Sequence, residues 1–411
     1  MLRPGDAPLE RFLARQPIFN SQRVVYGYEL LYRSGPENSF GNADLDAASA
    51  STFDSVMLFG IDRLIPGCRA FVNCTRESLL REFATILPKD QVVIEVLESV
   101  EIDREVVAAC RRLKSSGYLL ALDDFEDSST WAPIVDLADF IKVDLMASSH
   151  DEQLRMARAF LPRNIRLVAE KVETYEDFRR CDSWGFTHFQ GYFFSRPEML
   201  SRRDIPANKL NYLRVLNATN ETPINVRNVC ECIKAEASLS FRLLRYLNSP
   251  LFPLAWEVRS IPHAISLLGE SGTRKWVSLV TLACMSDGKP RELVILPLIR
   301  ARFCELLAPV AHRPSSANDL FLLGLLSAMD AVLDMALVDV LKEIKLREEI
   351  RDALLGGENP LREIFDLVLH YERGCWTEVG RRAAALSVDV GSLSPLYFEA
   401  VNWAEGTLMM P

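Results

Sequence analysis

The sequence predicts a (β/α) barrel of the TIM type followed by an all-α domain. Between residue 10 and about residue 200, short runs rich in β-branched and aromatic residues alternate with segments of helical length. Such runs, apolar enough to be buried on both faces, indicate a parallel sheet with crossover helices. After Arg196-Pro197 the alternation stops, and apolar residues recur at helical spacing.

Six strands are predicted in the first domain, over residues 24–28, 70–73, 92–96, 118–122, 140–143 and 165–169. The C-terminal ends of parallel strands are where a (β/α) barrel places its chemistry. Acidic or amide residues gather at these ends: Asn73, Glu95, Asp123 with Asp124, Asp144 and Glu170. We therefore expect a functional site at that end of the barrel.

The boundary between the two domains is predicted at residue 205. Residues 201–206 are polar and end in Pro206, and no clear strand follows them. We expect the first domain to span residues 1–205. The second domain, together with a C-terminal helical extension, is expected to span residues 206–411.

The composition limits the class of protein. The chain has 411 residues and a formal net charge of −9, which argues against nonspecific binding to the phosphate backbone of a nucleic-acid polymer. An acidic total still allows a nucleotide that is held through metal ions, because the metals supply the positive charge and acidic side chains hold the metals.

Several features of the chain favour the cytoplasm. Residues 1–12 lack the apolar core of a signal peptide, and no apolar run reaches the length that spans a bilayer. The nine cysteines contain no CxxC pair, so they predict free thiols in a reducing compartment rather than a zinc site or a disulfide framework. No membrane association is expected.

The acidic strand ends suit phosphodiester hydrolysis. Two-metal hydrolysis needs several oxygen ligands that converge on cations about 3.5–4 Å apart. Acidic residues at strand ends also occur as helix caps and solvated loop residues. The strand ends alone therefore leave both interpretations open.

The first domain resembles the EAL family of cyclic di-GMP phosphodiesterases over residues 14–197. The resemblance rests on motifs that follow one another in the family's order. They read QPI at 16–18, ELL at 29–31, VN at 72–73, EVLES at 95–99, DDF at 123–125, IKVD at 141–144, AEKVET at 169–174 and QGYFFSRP at 190–197.

The resemblance implies a role for each matched residue. The implied metal ligands, for Mg²⁺ or Mn²⁺, are Glu29, Asn73, Glu95, Asp123 and Asp124. Residues that position or deprotonate the attacking water are Lys142 and Glu170, and Gln190 orients them. Gln16 and Arg33 are implied to contact the substrate, cyclic di-GMP.

Two departures from the family pattern bear on activity. Where the family has GTGYSSL after DDF, this chain reads EDSSTW at 126–131, so two loop glycines are absent. Lys171 replaces the glycine of the AEGVET motif, next to Glu170. Two hypotheses stay open: a working or weak phosphodiesterase, and a catalytically silent domain that binds the dinucleotide or serves as a protein scaffold.

The second domain resembles the HDOD family. The resemblance is carried by ASLSFRLLRYLNS at 237–249, RSIPHAISLLG at 259–269 and the helix around Trp276. HDOD domains resemble HD phosphohydrolases without their metal ligands, and the corresponding helix here, 323–330, has no histidine. We expect a regulatory domain without catalysis that binds a protein partner. A homodimer is left open.

Overall fold

The computed structural model describes residues 11–34, 61, 65–126, 130–191, 207–221, 224–235, 237–247 and 258–408. The chain forms two compact units. One unit comprises residues 1–194 and 369–398, and the other comprises residues 195–368 and 399–411.

The first unit is built around eight strands that form a closed barrel in chain order. The barrel fold confirms the prediction from the sequence, which anticipated six of the eight strands. The strands are β1 (Arg11–Asn20), β2 (Val25–Ser34), β3 (Arg69–Cys74), β4 (Val92–Val96), β5 (Leu119–Leu122), β6 (Phe140–Asp144), β7 (Arg166–Glu170) and β8 (His188–Gln190). Among the described residues, the strands are separated by the helices α1 (Arg76–Leu80), α2 (Arg104–Ser115), α3 (His150–Phe160) and α4 (Tyr175–Trp184).

The six strands predicted from the sequence, now β2 to β7, are parallel to one another, whereas β1, which the sequence did not predict, is not. This strand pairs antiparallel with both β2 and β8, whereas β2 to β8 are parallel. A tight hairpin leads from β1 to β2, where the Asn20 side chain accepts hydrogen bonds from the backbone N–H groups of Gln22 and Val24, each at 3.0 Å. A hairpin reverses the chain, so no crossover helix is needed.

The barrel interior has an apolar layer. Its members are Ile18, Phe71, Val93, Ala121, Phe140 and Val168, each completely buried. Tyr26 and Leu119 pack against them, and the ring of Tyr26 lies 5.8 Å from that of Phe140. Six of the eight strands thus contribute one side chain each to a core that closes the barrel below its mouth.

Side-chain caps begin the helices that follow the strands. Asp103 caps α2, Ser149 and Glu152 form a reciprocal capping box on α3, and Thr174 caps α4. These caps satisfy backbone donors that a helix N-terminus leaves unpaired. The α4 helix ends at Gly185 in the left-handed conformation.

The second unit is helical in its described part, as the sequence predicts. Its helices begin with α5 (Ala207–Asn220), α6 (Val226–Lys234), α7 (Ala237–Leu247), α8 (Ile261–Met285), α9 (Glu292–Val310) and α10 (Ala317–Leu326). They continue with α11 (Met329–Leu333), α12 (Leu337–Val340) and α13 (Glu348–Leu354). The helices α14 (Pro360–Glu372) and α16 (Leu393–Leu408) each have residues in both units, and α15 (Trp376–Ala385) belongs wholly to the barrel unit.

Glycines shape two of these helices. Gly269 interrupts α8 with a φ of 66°, which kinks the helix. A Cβ on Gly324 of α10 would lie 2.5 Å from the backbone nitrogen of Ala301 on α9, so only glycine permits this close approach of the two helices.

The cysteines and the apolar character of the helices bear on two further expectations. All nine cysteines are free thiols, as predicted. Within the described ranges, none of the helices combines the length and the apolar character that crossing a membrane requires.

Candidate functional site

A ring of eight polar side chains lies inside the barrel, and each strand supplies one of them at its end, within it or directly after it. We call this ring the polar layer. In chain order its members are Gln16, Glu29, Asn73, Glu95, Asp123, Lys142, Glu170 and Gln190. All eight were named from the sequence.

The period of a β-strand explains how the polar layer forms. In β3 to β7, each polar residue follows a member of the apolar layer by two positions, as Glu95 follows Val93 and Lys142 follows Phe140. Successive residues of a strand point to opposite faces, so both side chains face the interior. In β1, which runs the other way, Gln16 precedes Ile18 by two positions.

Lys142 lies at the centre of the polar layer. Only 1% of its side chain is exposed. Its Nζ atom contacts four carboxylates, at 2.8 Å from Asp123 Oδ1, 2.9 Å from Glu95 Oε1, 3.0 Å from Glu170 Oε1 and 3.2 Å from Glu29 Oε2. One positive charge thus faces four acidic groups.

Amide side chains hold Glu29 in place. Asn73 Nδ2 donates to Glu29 Oε1 at 3.2 Å, and Gln190 Nε2 donates to Glu29 Oε2 at 2.6 Å. Gln190 Nε2 also lies 3.1 Å from Gln16 Oε1. These bonds connect β1, β2, β3 and β8 around one carboxylate.

The position of Gln190 depends on the residue after it. Gly191 has a φ of 146°, and a Cβ there would lie 2.2 Å from the carbonyl oxygen of Val172. The Val172 N–H in turn donates to the Gln190 carbonyl at 3.0 Å. Only glycine lets the two backbones approach this closely.

Burial and charge shift the pKa values of the polar layer. Burial raises the pKa of Glu95 well above its usual value, and burial likewise raises the pKa of Glu170 to about 8, in each case against the opposing effect of Lys142. For Glu29, burial is outweighed by Lys142 and the two amide donors, so its pKa is lowered. Burial would lower the pKa of Lys142, but the surrounding carboxylates raise it well above its usual value.

The donor set suits a hard divalent cation. Carboxylate and amide oxygens are the ligands that Mg²⁺ and Mn²⁺ prefer. Glu95 is fully buried, and although its Oε1 is close to Lys142, neither carboxylate oxygen accepts a well-directed hydrogen bond from the described residues. Buried, under-satisfied oxygen beside an excess of negative charge is what a cation would stabilise.

The ammonium group of Lys142 nevertheless occupies the point where the carboxylates converge. As they stand, no three His, Cys, Asp or Glu side chains in the described part of the chain are arranged to hold a metal ion. A cation could enter the polar layer only if Lys142 gave up some of its ion pairs.

Two residues predicted from the sequence, Asp124 and Arg33, are not members of the polar layer. Asp124 is exposed, has a φ of 40°, and lines an open groove together with Glu98 and Asp144. The backbone of Arg33 lies in β2, but its side chain is outside the described residues. Residues 127–129 of the altered loop also lie outside them.

Lys171, at the position where the family motif has glycine, has a backbone conformation that favours glycine. Its φ is 53°, in the left-handed region that favours glycine. Its ammonium pairs with Asp144, which also accepts backbone hydrogen bonds from Met146 and Ala147. Sequence reasoning missed this ion pair. The signal was the position of Asp144 and Lys171 at the ends of two neighbouring strands.

Known proteins match both parts of the chain. The family model of the EAL domain matches residues 71–197, and that of the HDOD domain matches residues 205–354. The chain is 33% identical over 409 residues to uncharacterized protein YuxH of Bacillus subtilis. The alignment covers 97% of this chain and 98% of that protein.

A second relative carries a functional name. The chain is 32% identical over 404 residues to cyclic di-GMP phosphodiesterase CdgJ of Vibrio cholerae, covering 97% of this chain and 94% of the relative. Among solved structures, the manganese and cyclic di-GMP complex of Klebsiella pneumoniae BlrP1 matches 47% of this chain and 57% of that chain, at 24% identity and a TM-score of 0.37.

Proposed function

The chain belongs to the family of proteins that join an EAL domain to an HDOD domain, and we propose that its barrel is a metal-dependent cyclic di-GMP phosphodiesterase. The observation that carries this proposal is the polar layer, in which four carboxylates from separate strands converge on Lys142. The product is the linear dinucleotide.

The proposed ligands for Mg²⁺ or Mn²⁺ are Glu29, Asn73, Glu95 and Asp123, with Asp124 at the edge of the site. Bound ions would lower the pKa of a water molecule and stabilise the charge that develops on the phosphate. The four ligands inside the polar layer are supplied by neighbouring strands, β2 to β5. This arrangement supports a single site.

The remaining members of the polar layer have proposed roles in moving and holding a proton. Glu170, whose pKa is raised to about 8 chiefly by burial, has the proton affinity that an acceptor from the attacking water needs. The water oxygen attacks phosphorus as its proton passes to Glu170. The bond from phosphorus to one ribose oxygen breaks, and that oxygen takes up a proton to become a free hydroxyl of the linear dinucleotide. Lys142 holds Glu170 through an ion pair, and Gln190 holds Glu29 through a hydrogen bond.

Substrate binding is proposed for Gln16 and Arg33. Gln16 is a member of the polar layer, and its Oε1 accepts a hydrogen bond from Gln190 Nε2 at 3.1 Å. Arg33 follows Glu29 by four residues on the same strand, and a guanidinium group can pair with a phosphate through two parallel hydrogen bonds.

A second candidate is a domain that binds the dinucleotide without hydrolysing it. Two observations favour it: the ammonium of Lys142 occupies the centre of the carboxylates, and Lys171 pairs with Asp144 beside Glu170. Both features would hinder exact metal placement more than they hinder phosphate binding.

The helical unit is proposed to be a regulatory module that binds a protein. We keep the domain boundary at residue 205, which is compatible with the family-model matches that end at 197 and begin at 205. We also propose a cytoplasmic location, supported by the nine free thiols. A homodimer remains a prediction.

Product analysis tests the proposed function. Full-length protein is incubated with cyclic di-GMP and either Mg²⁺, Mn²⁺ or EDTA, and the nucleotides are then separated. The proposal expects linear dinucleotide in the metal samples and none with EDTA. Tight binding without product in every sample would instead support the second candidate, and neither binding nor product would contradict both.

A further inference from the structure

Residues 369–398 belong to the barrel unit although they lie far from the barrel in sequence. We call them the cover segment, which contains α15 and the turn before it. Tyr371 is completely buried, and its ring lies 5.3 Å from that of Trp376 and 5.1 Å from that of Tyr397. The cover segment therefore has an aromatic cluster of its own.

Gly374 of the cover segment meets the barrel. Its φ is 69°, and the Gly374 N–H donates to the Tyr371 carbonyl at 3.1 Å, so the turn itself favours glycine. A Cβ on Gly374 would lie 2.9 Å from Leu31 Cδ1. The turn thus lies directly against Leu31, with no room for a side chain.

The strand register places Leu31 on the mouth side of the polar layer. Glu29 pairs with Gln16, and Leu31 pairs with Ala14, two residues further along β2 in the direction of the barrel mouth. Because the strand period is two, Leu31 shares the inward face of Glu29. Leu31 therefore lies between the polar layer and the register position of Arg33.

We propose that the cover segment is an autoinhibitory element, and this inference rests on the proposed function. When it packs against Leu31, the cover segment occupies part of the rim of the barrel mouth, which a cyclic dinucleotide must cross to reach Glu29. Binding of the dinucleotide and seating of the cover segment then exclude each other. By linkage, whatever unseats the segment favours the dinucleotide, and the dinucleotide unseats the segment.

The test compares two glycine variants of the full-length protein. Gly374→Leu drives a side chain into Leu31, whereas Gly356→Leu places the same side chain at a φ of 91° with nothing within 4 Å. Both variants carry similar backbone strain, and only the first loses the contact. Hydrogen exchange of residues 369–398 and the association rate of cyclic di-GMP are measured in both variants and in the unaltered protein.

The proposal expects faster exchange over residues 369–398 and an association rate raised about fivefold or more in Gly374→Leu, but not in Gly356→Leu. Saturating cyclic di-GMP should raise exchange in the same residues of the unaltered protein. If Gly374→Leu does not fold, Leu31→Ala removes the contact from the barrel side and is expected to give the same two changes.

Other results would overturn the proposal. Unchanged exchange in Gly374→Leu, or faster exchange without faster association, means that the cover segment does not obstruct the mouth. Absence of dinucleotide binding in every protein, including one whose cover segment exchanges freely, is a different result. It contradicts the proposed function, and the autoinhibitory role falls with it.

Discussion

Lys142 is the residue on which the electrostatics of the barrel interior depend. It is almost fully buried and faces four carboxylates with a single positive charge. A buried charge without a counter-charge costs several kcal/mol. In the absence of metal, the polar layer therefore keeps its shape through this lysine.

We predict that Lys142→Met lowers the stability of the metal-free protein by about 3–5 kcal/mol, because it leaves the carboxylates without their counter-charge. Mn²⁺ should then raise Tm more in this variant than in the unaltered protein, since cation and ammonium compete for the same oxygens. Thermal unfolding with and without Mn²⁺ measures both effects.

Lys114→Met is the matched control for that experiment. Lys114 pairs with Asp139, and a third of its side chain is exposed. Its loss should cost only about 1 kcal/mol or less and leave the Mn²⁺ response unchanged. Equal Mn²⁺ responses of all three proteins would mean that the cation binds elsewhere.

Lys171 combines backbone strain with an ion pair. Lys171→Gly and Lys171→Ala both remove the pair with Asp144, but only the glycine relieves the left-handed backbone. We predict that the glycine variant is the more stable of the two by about 1 kcal/mol. Equal unfolding free energies in urea would show that the positive φ carries no strain.

The same residue bears on catalysis. Restoring the family's glycine-containing loop at 126–129 together with Lys171→Gly should raise hydrolysis more than affinity, because turnover depends on more exact positions than binding does. Measuring kcat and the dissociation constant of cyclic di-GMP separates the two. The prediction is contradicted if affinity rises as much as kcat does.

At the scale of elements, the register of β8 depends on one glycine. We predict that Gly191→Ala lowers the free energy of unfolding by about 1–3 kcal/mol more than an alanine substitution at a glycine that has positive φ but no close neighbours. The control is Gly67→Ala, since Gly67 has a φ of 70° and nothing within 4 Å of an added Cβ. Urea unfolding of both variants gives the difference in the free energy of unfolding. Equal losses of stability would contradict a structural role for the close approach of Gly191 to the backbone of Val172.

Six strands could be predicted from sequence, but β1 and β8 could not. β1 contains Arg11, Arg15, Gln16 and Pro17, which interrupt the apolar pattern, and β8 has only three residues. Both are held by pairing with each other and with their neighbours. Their existence is a consequence of barrel closure, which local sequence does not encode.

Part of the polar layer could also be predicted from local pattern. Asn73, Glu95, Asp123 and Glu170 were marked as polar strand ends, whereas Gln16, Glu29 and Gln190 were found through family motifs. Asp144 shared the strand-end signal but pairs with Lys171. Because Asp144 lies two residues beyond Lys142 on β6, its side chain reaches the rim rather than the centre.

At the scale of the whole molecule, the proposed chemistry is assigned to the barrel unit. The helical unit has a glycine-mediated helix contact at Gly324 where an HD motif would stand, and α10 carries no histidine. The barrel unit combines the polar layer with the cover segment. Both the proposed catalysis and its proposed control are therefore assigned to that unit.

The most direct test of the account is the turnover of cyclic di-GMP by Glu95→Gln beside Glu101→Gln in full-length protein with Mn²⁺. The first change removes a buried carboxyl group that is a proposed metal ligand and keeps the side-chain volume, whereas Glu101 is exposed. The account predicts that Glu95→Gln abolishes turnover with a retained cooperative melting curve, and that Glu101→Gln hydrolyses like the unaltered protein. Undiminished turnover by Glu95→Gln would contradict it.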